Sequence, residues 1–422
     1  MEYGYLLSLA LILLSTKIFG LVTKRVKLPQ VVGALMAGLI LGPACLGVLK
    51  ETEFITQVSE IGVIVLMFCA GLETDIKELK KTGASSFIIA LLGIVPLLGG
   101  WGIASIFNKD SVDGLASPML QNIFIGIILT ATSVSITVET LKEMGRLSSK
   151  SGNAILGAAV IDDILGIIAL TVITSSADKS VNIGMVLLKI LLFFIFAIVV
   201  AIAFNFAFNK WSGRSKKDLR RYVIIGFVFC LLMSFSAEHF FGVADITGAF
   251  VAGLALSNGP RATYLSNRFD TLSYMLLSPV FFASIGLKVV LPKMSMSIIL
   301  FAVILLIVAV LTKVIGCGLG AKICKFSNKD SLRIGVGMVS RGEVALIVAS
   351  KGAAVGLMNE KYFAPIVIMV VVTTIITPIL LKFVYKSKKG DDNESKGELE
   401  VGKFTKSSAL EEHEQNLINQ KS

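Results

Sequence analysis

The sequence predicts an all-α membrane protein with about thirteen transmembrane helices. Of its 422 residues, 55% are hydrophobic and only 16% are charged, whereas a soluble protein of this size carries about 25% charged residues. The hydrophobic residues are concentrated in long runs, and about 20 largely apolar residues form a helix that crosses a bilayer. A chain of this composition buries most of its surface in lipid.

Thirteen apolar runs follow one another along the chain. The first begins directly after Met-Glu-Tyr and has neither the basic region nor the cleavage site of a signal peptide, so it is interpreted as a retained helix. The predicted spans are approximately 4–22, 30–48, 56–74, 84–107, 120–141, 152–174, 183–209, 221–237, 241–257, 270–288, 297–320, 330–356 and 360–384.

The charges of the loops predict the orientation of these spans. With the N-terminus outside, 21 Lys and Arg residues fall in inside loops and 7 in outside loops. Because basic residues accumulate on the cytoplasmic side, the chain is predicted to be a multi-pass protein of the cell (inner) membrane with a cytoplasmic C-terminus. The net charge of +11 is spread over these short loops and indicates no nucleic-acid partner.

The sequence divides into a transmembrane domain, residues 1–386, and a polar tail of mixed charge, residues 387–422. The tail is predicted to be disordered in the cytosol, and it contains no Gly-x-Gly-x-x-Gly motif for a nucleotide. The five cysteines have no CxxC spacing and the two histidines are too few for a metal cluster. No nucleophile–base constellation is present, so neither an enzyme nor a cofactor is expected.

The most informative residues are two adjacent carboxylates within a span. Asp162 and Asp163 have about ten apolar residues on either side, so neither side chain reaches the membrane surface. Neighbouring helix positions point about 100° apart, and the two carboxylates should therefore face different partners. Two acids that repel each other in a poorly hydrated site can exchange protons for a cation.

Other charged residues in the spans are expected partners. Lys313 lies in a long apolar run and is predicted to be the counter-charge of the acids. Arg341 and Glu343 flank Gly342, which indicates a broken helix, and such breaks are tolerated where they line a cavity. This pair fits a structural salt-bridge network as well as direct ion binding. Asp245 lies close to a membrane face and is predicted to have a structural or entrance role.

A second interruption is predicted earlier in the chain. Five of the nine residues in 129–137 carry hydroxyl groups, which can satisfy free carbonyls and coordinate a small cation; helix packing through small residues is the alternative. This segment precedes the Asp-Asp helix, and Arg341 follows the Lys313 helix. Spans five and six therefore mirror spans twelve and eleven, which indicates inverted repeats with two crossing broken helices.

Seven short segments together are typical of one transporter superfamily. They are Cys-Ala-Gly-Leu-Glu-Thr-Asp (69–75), Ala-Thr-Ser-Val-Ser-Ile (131–136), Val-Ile-Asp-Asp-Ile (160–164), Gly-Ala-Phe-Val-Ala-Gly-Leu-Ala (248–255), Pro-Val-Phe-Phe-Ala-Ser-Ile-Gly-Leu (279–287), Thr-Lys-Val-Ile-Gly (312–316) and Arg-Gly-Glu-Val-Ala-Leu-Ile (341–347). With these seven segments in this order, the chain resembles the monovalent cation:proton antiporter superfamily, in the branch of bacterial Na+/H+ antiporters related to NapA and GerN.

The resemblance implies an NhaA/NapA-like antiporter fold, with a six-helix core domain that moves against a dimerisation domain in a homodimer. It implies that Asp163 carries the cation and the proton, that Asp162 pairs with Lys313 until the ion displaces it, and that Thr132 lies at the crossing point. Na+ at Asp163 and Asp162 would be a transported substrate. The acid pair with a lysine resembles the electrogenic type, which moves two protons per sodium and serves pH homeostasis.

Two other transporter classes remain open. A K+/H+ antiporter or K+ efflux transporter of the same superfamily shares many of these segments, so Na+, Li+ and K+ all stay candidates. Ligand-gated K+ systems usually carry a nucleotide-binding domain, which a tail of about 36 residues is too short to form. A bile-acid-type sodium symporter has a related fold, but those chains are shorter and lack the acid pair and the lysine.

Overall fold

The computed structural model describes residues 4–25, 28–74, 76–108, 116–177, 183–212, 220–259, 261–289, 295–354 and 356–386. Every regular element within these ranges is a helix, so the predicted all-α class is confirmed. The tail at 387–422 lies outside the described residues, and its disorder stays a prediction.

Seventeen α-helices occur in the described ranges. They are α1 (Gly4–Arg25), α2 (Gln30–Leu41), α3 (Glu53–Glu73), α4 (Ile76–Leu92), α5 (Val95–Phe107), α6 (Pro118–Thr130), α7 (Val134–Glu143), α8 (Lys150–Ala177), α9 (Ile183–Ser212), α10 (Arg220–Phe241), α11 (Asp245–Leu256), α12 (Ala262–Leu272), α13 (Ser278–Leu287), α14 (Met296–Ile323), α15 (Asn328–Gly337), α16 (Glu343–Ala354) and α17 (Phe363–Tyr385). A π-helical turn joins α12 to α13, and a short 3-10 helix precedes α17.

Each predicted span overlaps one helix or two consecutive helices. The predicted span at 30–48 was too long, since α2 ends at Leu41 and residues 42–50 form turns and coil. Ten helical segments in the described residues are long and apolar enough to cross a membrane. Two more helices, α2 and α11, are apolar but only 12 residues long, and the span at 330–356 is divided into α15 and α16. The count of thirteen crossings stays a prediction.

The two predicted helix breaks are present, and there is a third. The chain is non-helical at 131–133, between α6 and α7, and at 339–342, between α15 and α16. The run at 84–107, which was predicted as one uninterrupted span, turns at Gly93 and Ile94. Pro96 then lies in the first turn of α5, where its missing N–H costs no helical hydrogen bond.

The helices pack into two groups of six predicted spans each. The first bundle consists of α4–α8 and α14–α17, and the second consists of α1–α3 and α10–α13. Helix α9 packs against α8 on one side and against α10 and α11 on the other. The main contacts between the bundles are made by α7 with α2 and α3, and by α17 with α2. Their identification as a moving core and a dimerisation domain stays a prediction.

In the second bundle, α3 and α11 lie in backbone contact. A Cβ atom on Gly71 would lie 2.3 Å from the carbonyl oxygen of Phe250, and a Cβ on Gly253 would lie 2.1 Å from that of Phe68. Lipid provides no hydrophobic drive between helices, so small residues that allow close backbone approach stabilise such crossings.

We therefore expect Gly253→Ala to destabilise the protein by about 1–3 kcal/mol, because the added methyl forces α3 and α11 apart. The measurement is the fraction that stays monodisperse in gel filtration after heating in detergent. Gly102→Ala in α5 is the matched control: a Cβ there meets no atom within 4 Å, and alanine favours a helix over glycine. Equal melting temperatures for the wild type and Gly253→Ala would contradict the tight crossing.

Candidate functional site

The two broken segments of the first bundle cross and satisfy each other's backbone groups. The backbone N–H of Ser133 donates to the carbonyl of Ser340 at 2.7 Å, and the Ser340 hydroxyl donates back to the carbonyl of Ser133 at 2.7 Å. The Thr137 hydroxyl donates to the carbonyl of Gly337, also at 2.7 Å. The predicted crossing is thus confirmed, and the hydroxyl-rich segment supplies part of its hydrogen bonds.

Arg341 is completely buried and lies at this crossing. Its guanidinium donates to the carbonyl of Leu129 at 2.6 and 3.2 Å, to that of Val339 at 2.8 Å and to that of Ala309 at 3.0 Å. The first two carbonyls lie at the ends of α6 and α15, where helices carry partial negative charge and unpaired acceptors. The Glu343 side chain lies outside the described residues, so its pairing with Arg341 stays a prediction.

The structure brings Lys313 and Asp162 together from α14 and α8. The Lys313 ammonium lies 3.1 Å from both carboxylate oxygens of Asp162, and the two side chains are 0% and 3% exposed. The same ammonium donates to the carbonyl of Thr130 at 2.8 Å and to that of Gly93 at 3.1 Å. This cation therefore joins α8 and α14 to the end of α6 and to the turn between α4 and α5.

Asp163 has a different environment from its neighbour. Helix α8 is buried over residues 151–159, whereas residues 160–170 are half-buried except for Asp162. Asp163 belongs to this half-buried stretch, and a Cβ on Gly166, one turn further along, would meet no atom within 4 Å. The first acid is thus held inside the bundle and the second borders open space, as expected for adjacent helix positions.

The remaining predicted site residues fall in two places. Thr132 is buried at the crossing, and its hydroxyl makes only long 3.5 Å contacts to the carbonyls of Thr130 and Met338, so its oxygen is available to a ligand. Asp245 begins α11 in the second bundle, where its carboxylate accepts from the N–H of Ile246 at 2.7 Å. A carboxylate at a helix N-terminus is stabilising there; this contact fits a structural role, and the predicted structural or entrance role of Asp245 stays a prediction.

Sequence reasoning missed the carbonyl of Gly93 as a partner of Lys313. An exposed carbonyl arises from the local backbone path, and the only signal in the sequence was a glycine three residues before a proline within an apolar run. The N–H of Leu97, which would pair with the carbonyl of Gly93 in an uninterrupted helix, donates instead to the carbonyl of Ile94 at 2.8 Å, and the carbonyl of Gly93 accepts from the lysine.

The arrangement is chemically suited to an exchange of cations for protons. Asp163 is partly accessible and offers carboxylate oxygens, and Thr132 offers a hydroxyl oxygen, which are ligands preferred by hard cations. A cation that also bound Asp162 would compete with the Lys313 ammonium, because two positive charges on one buried carboxylate leave one of them uncompensated. Proton and cation binding are therefore coupled through the same few atoms.

Comparisons with known proteins identify the family of this chain. A model of the family described as sodium/hydrogen exchanger, transmembrane, matches residues 10–386. The Na+/H+-K+ antiporter GerN of Bacillus cereus is 41% identical over 92% of this chain and 98% of its own length. A Na+/H+ antiporter of Enterococcus hirae is 38% identical over 90% and 97%.

A solved structure shows the same fold at low sequence identity. The sodium proton antiporter MjNhaP1 of Methanocaldococcus jannaschii superposes with a TM-score of 0.60 at 19% identity, over 89% of this chain and 95% of that one. Together with the match of the family model over most of the chain, this places the protein in a family: the chain belongs to the transmembrane sodium/hydrogen exchangers.

Proposed function

We propose that this protein is a secondary antiporter that exchanges Na+ for H+ across the cell membrane by alternating access. The observation that carries the proposal is the buried pair of Lys313 and Asp162 beside the half-buried Asp163, at the crossing of two broken helices. The relatives from Bacillus cereus and Enterococcus hirae, which are named as Na+/H+ antiporters, support it.

The position of the site favours movement of one bundle against the other. Asp162, Asp163, Thr132, Lys313 and Arg341 all lie in the first bundle. A shift of this bundle relative to the second would carry the whole site without breaking its internal hydrogen bonds. Proton and Na+ compete for Asp163, so only a loaded site returns and the two fluxes are coupled.

The buried pair also supports an electrogenic cycle. When Na+ displaces Lys313 from Asp162, the lysine is left without its carboxylate and releases a proton. Asp163 releases a second proton to the same ion. Two protons then move against one Na+, and each cycle transfers one net charge, on which the membrane potential acts with about 2.3 kcal/mol per 100 mV.

The test uses proteoliposomes without a pH gradient, in which K+ and valinomycin set a potential that is negative inside. We expect this potential to drive Na+ out of the liposomes, because positive charge moves inward with the protons. Lys313→Gln should abolish either the response to potential or the exchange itself. Exchange in the wild type that ignores the potential would instead show a stoichiometry of one to one, with Lys313 as a structural partner.

K+ is the second candidate substrate. GerN, the relative with 41% identity, is named as a Na+/H+-K+ antiporter. Addition of Na+, Li+ and K+ in turn to liposomes that contain a pH-sensitive dye separates the candidates. If K+ causes proton release and Na+ does not, K+ replaces Na+ as the proposed substrate.

We also propose a homodimer in the cell membrane with the N-terminus outside. The excess of basic residues in the predicted inside loops supports this orientation, and the superfamily resemblance supports the dimer. Labelling of a cysteine introduced at an exposed N-terminal position, with an impermeant reagent on intact cells, tests the orientation; cross-linking in the membrane tests the dimer.

A further inference from the structure

The two bundles are joined by ion pairs at one end of the molecule. Lys142, in the last turn of α7, lies 3.4 Å from the carboxylate of Glu73 at the end of α3. It also forms a short ion pair with Asp270 of α12. The lysine belongs to the first bundle and both carboxylates belong to the second. All three side chains are partly exposed, at 19–32%, and lie at the predicted cytoplasmic end.

The residue after Lys142 makes a second connection between the bundles. Both carboxylate oxygens of Glu143 accept from the backbone N–H of Gln30, each at 2.8 Å. Gln30 is the first residue of α2, and a helix N-terminus attracts negative charge. The end of α7 thus contacts α2, α3 and α12, so the two bundles are in contact at this end.

A cavity of about 520 Å³ borders this contact, between α1, α2, α7 and the α12–α13 segment. Glu139 lines the cavity and lies three residues before Lys142 on α7. In the part of the chain that the structure describes, Glu139 has no hydrogen bond and no ion pair within 4 Å. Residues three apart on a helix face each other, so Glu139 is a further carboxylate within reach of Lys142.

We propose that Lys142 is a positioning residue that changes partners as the carrier alternates. It binds Glu73 and Asp270 while the bundles are in contact at this end, and it binds Glu139 when they separate. This inference rests on the proposed antiport, which requires the bundles to move. Glu139 travels on the same helix as Lys142, so an ion pair is available in both states and the lysine is never left unpaired.

Such an exchange keeps the two states close in free energy. Loss of two partly exposed ion pairs without replacement would favour the closed state, whereas the Glu139 pair offsets part of that loss. A carrier needs both states to be populated, and a small difference between them allows a bound ion to shift the population. The Glu139 carboxylate in the cavity is therefore explained as the partner of Lys142 in the separated state.

Two variants that each remove one carboxylate test the exchange by the sign of their effects. Asp270→Asn removes a partner of the closed state and should raise the ratio of separated to closed molecules about twofold to fivefold. Glu139→Gln removes the partner of the separated state and should lower the same ratio by a similar factor. A loss of general stability would not move the two variants in opposite directions.

The ratio can be measured by pulsed EPR in lipid nanodiscs. Spin labels at the exposed positions Leu332 of α15 and Thr271 of α12 report one bundle each. Cys45 and Cys324, the two cysteines that are not buried, are replaced by serine. Lys288→Gln is the matched control, because Lys288 pairs with Glu51 at 3.3 Å with similar exposure, but within the second bundle; the ratio should stay as in the parent.

The inference is wrong if Glu139→Gln leaves the ratio unchanged or shifts it in the same direction as Asp270→Asn. If Asp270→Asn does not fold, Glu73→Gln takes its place with the same expected sign. The EPR measurement requires no transport, so a result that refutes the partner exchange of Lys142 does not by itself refute the proposed antiport. Liposomes that show no exchange would refute the antiport whatever the spin labels report.

Discussion

Asp163→Asn is expected to abolish cation-dependent proton release. Asp163 is the half-buried acid of the pair, whereas Asp162 is occupied by Lys313 in the bundle interior. An asparagine at this position neither releases a proton nor carries the charge that compensates Na+. The loss should therefore be complete, rather than a change in apparent affinity.

Dye-loaded proteoliposomes give the measurement, with Na+ added after an imposed pH gradient. Asp245→Asn provides the control, because asparagine keeps a side-chain oxygen that accepts at the N-terminus of α11; exchange should persist at the parental rate. Normal exchange by Asp163→Asn would remove Asp163 from the carrier site.

The second large effect is the loss of protein stability when the buried ion pair is broken. Lys313→Gln leaves the carboxylate of Asp162, which is 3% exposed, without a counter-charge, and breaking a buried pair from one side costs about 3–5 kcal/mol. The carbonyls of Thr130 and Gly93 lose a donor in the same variant. We expect a clear fall in the melting temperature in detergent.

The double variant Asp162→Asn with Lys313→Gln is the informative comparison. Asparagine and glutamine are neutral and leave no uncompensated charge, so most of the lost stability should return although exchange does not. A double variant as unstable as the single one would show that the carbonyl contacts of Lys313, and not its pairing with Asp162, stabilise the crossing.

The sequence predicted those parts of the molecule in which burial is costly. Apolar runs of about 20 residues identify spans because lipid tolerates little else. The acid pair and Lys313 were found because a charge in a span needs a partner. The break beside Gly342 followed from glycine between two charges, and the hydroxyl-rich segment indicated the other break.

The parts that were not predicted depend on backbone atoms or on distant pairs. The three acceptors of Arg341 are carbonyls, and a carbonyl is present at every residue and leaves no pattern. The contacts of Lys142 were missed for a different reason. Charged residues at the ends of spans are ordinary, and only the packing of α7 against α3 and α12 shows that Glu73 and Asp270 share one lysine.

The carbonyl contacts of Arg341 add the same fixed charge to both halves of the proposed transport cycle. A guanidinium stays protonated and, held by three carbonyls within the first bundle, it moves with the site. In the proposed two-proton cycle, the site with Asp163 and Lys313 protonated carries one positive charge more than the site with Na+ bound. The two steps therefore respond differently to a membrane potential, and the arginine shifts the charge of both by the same amount.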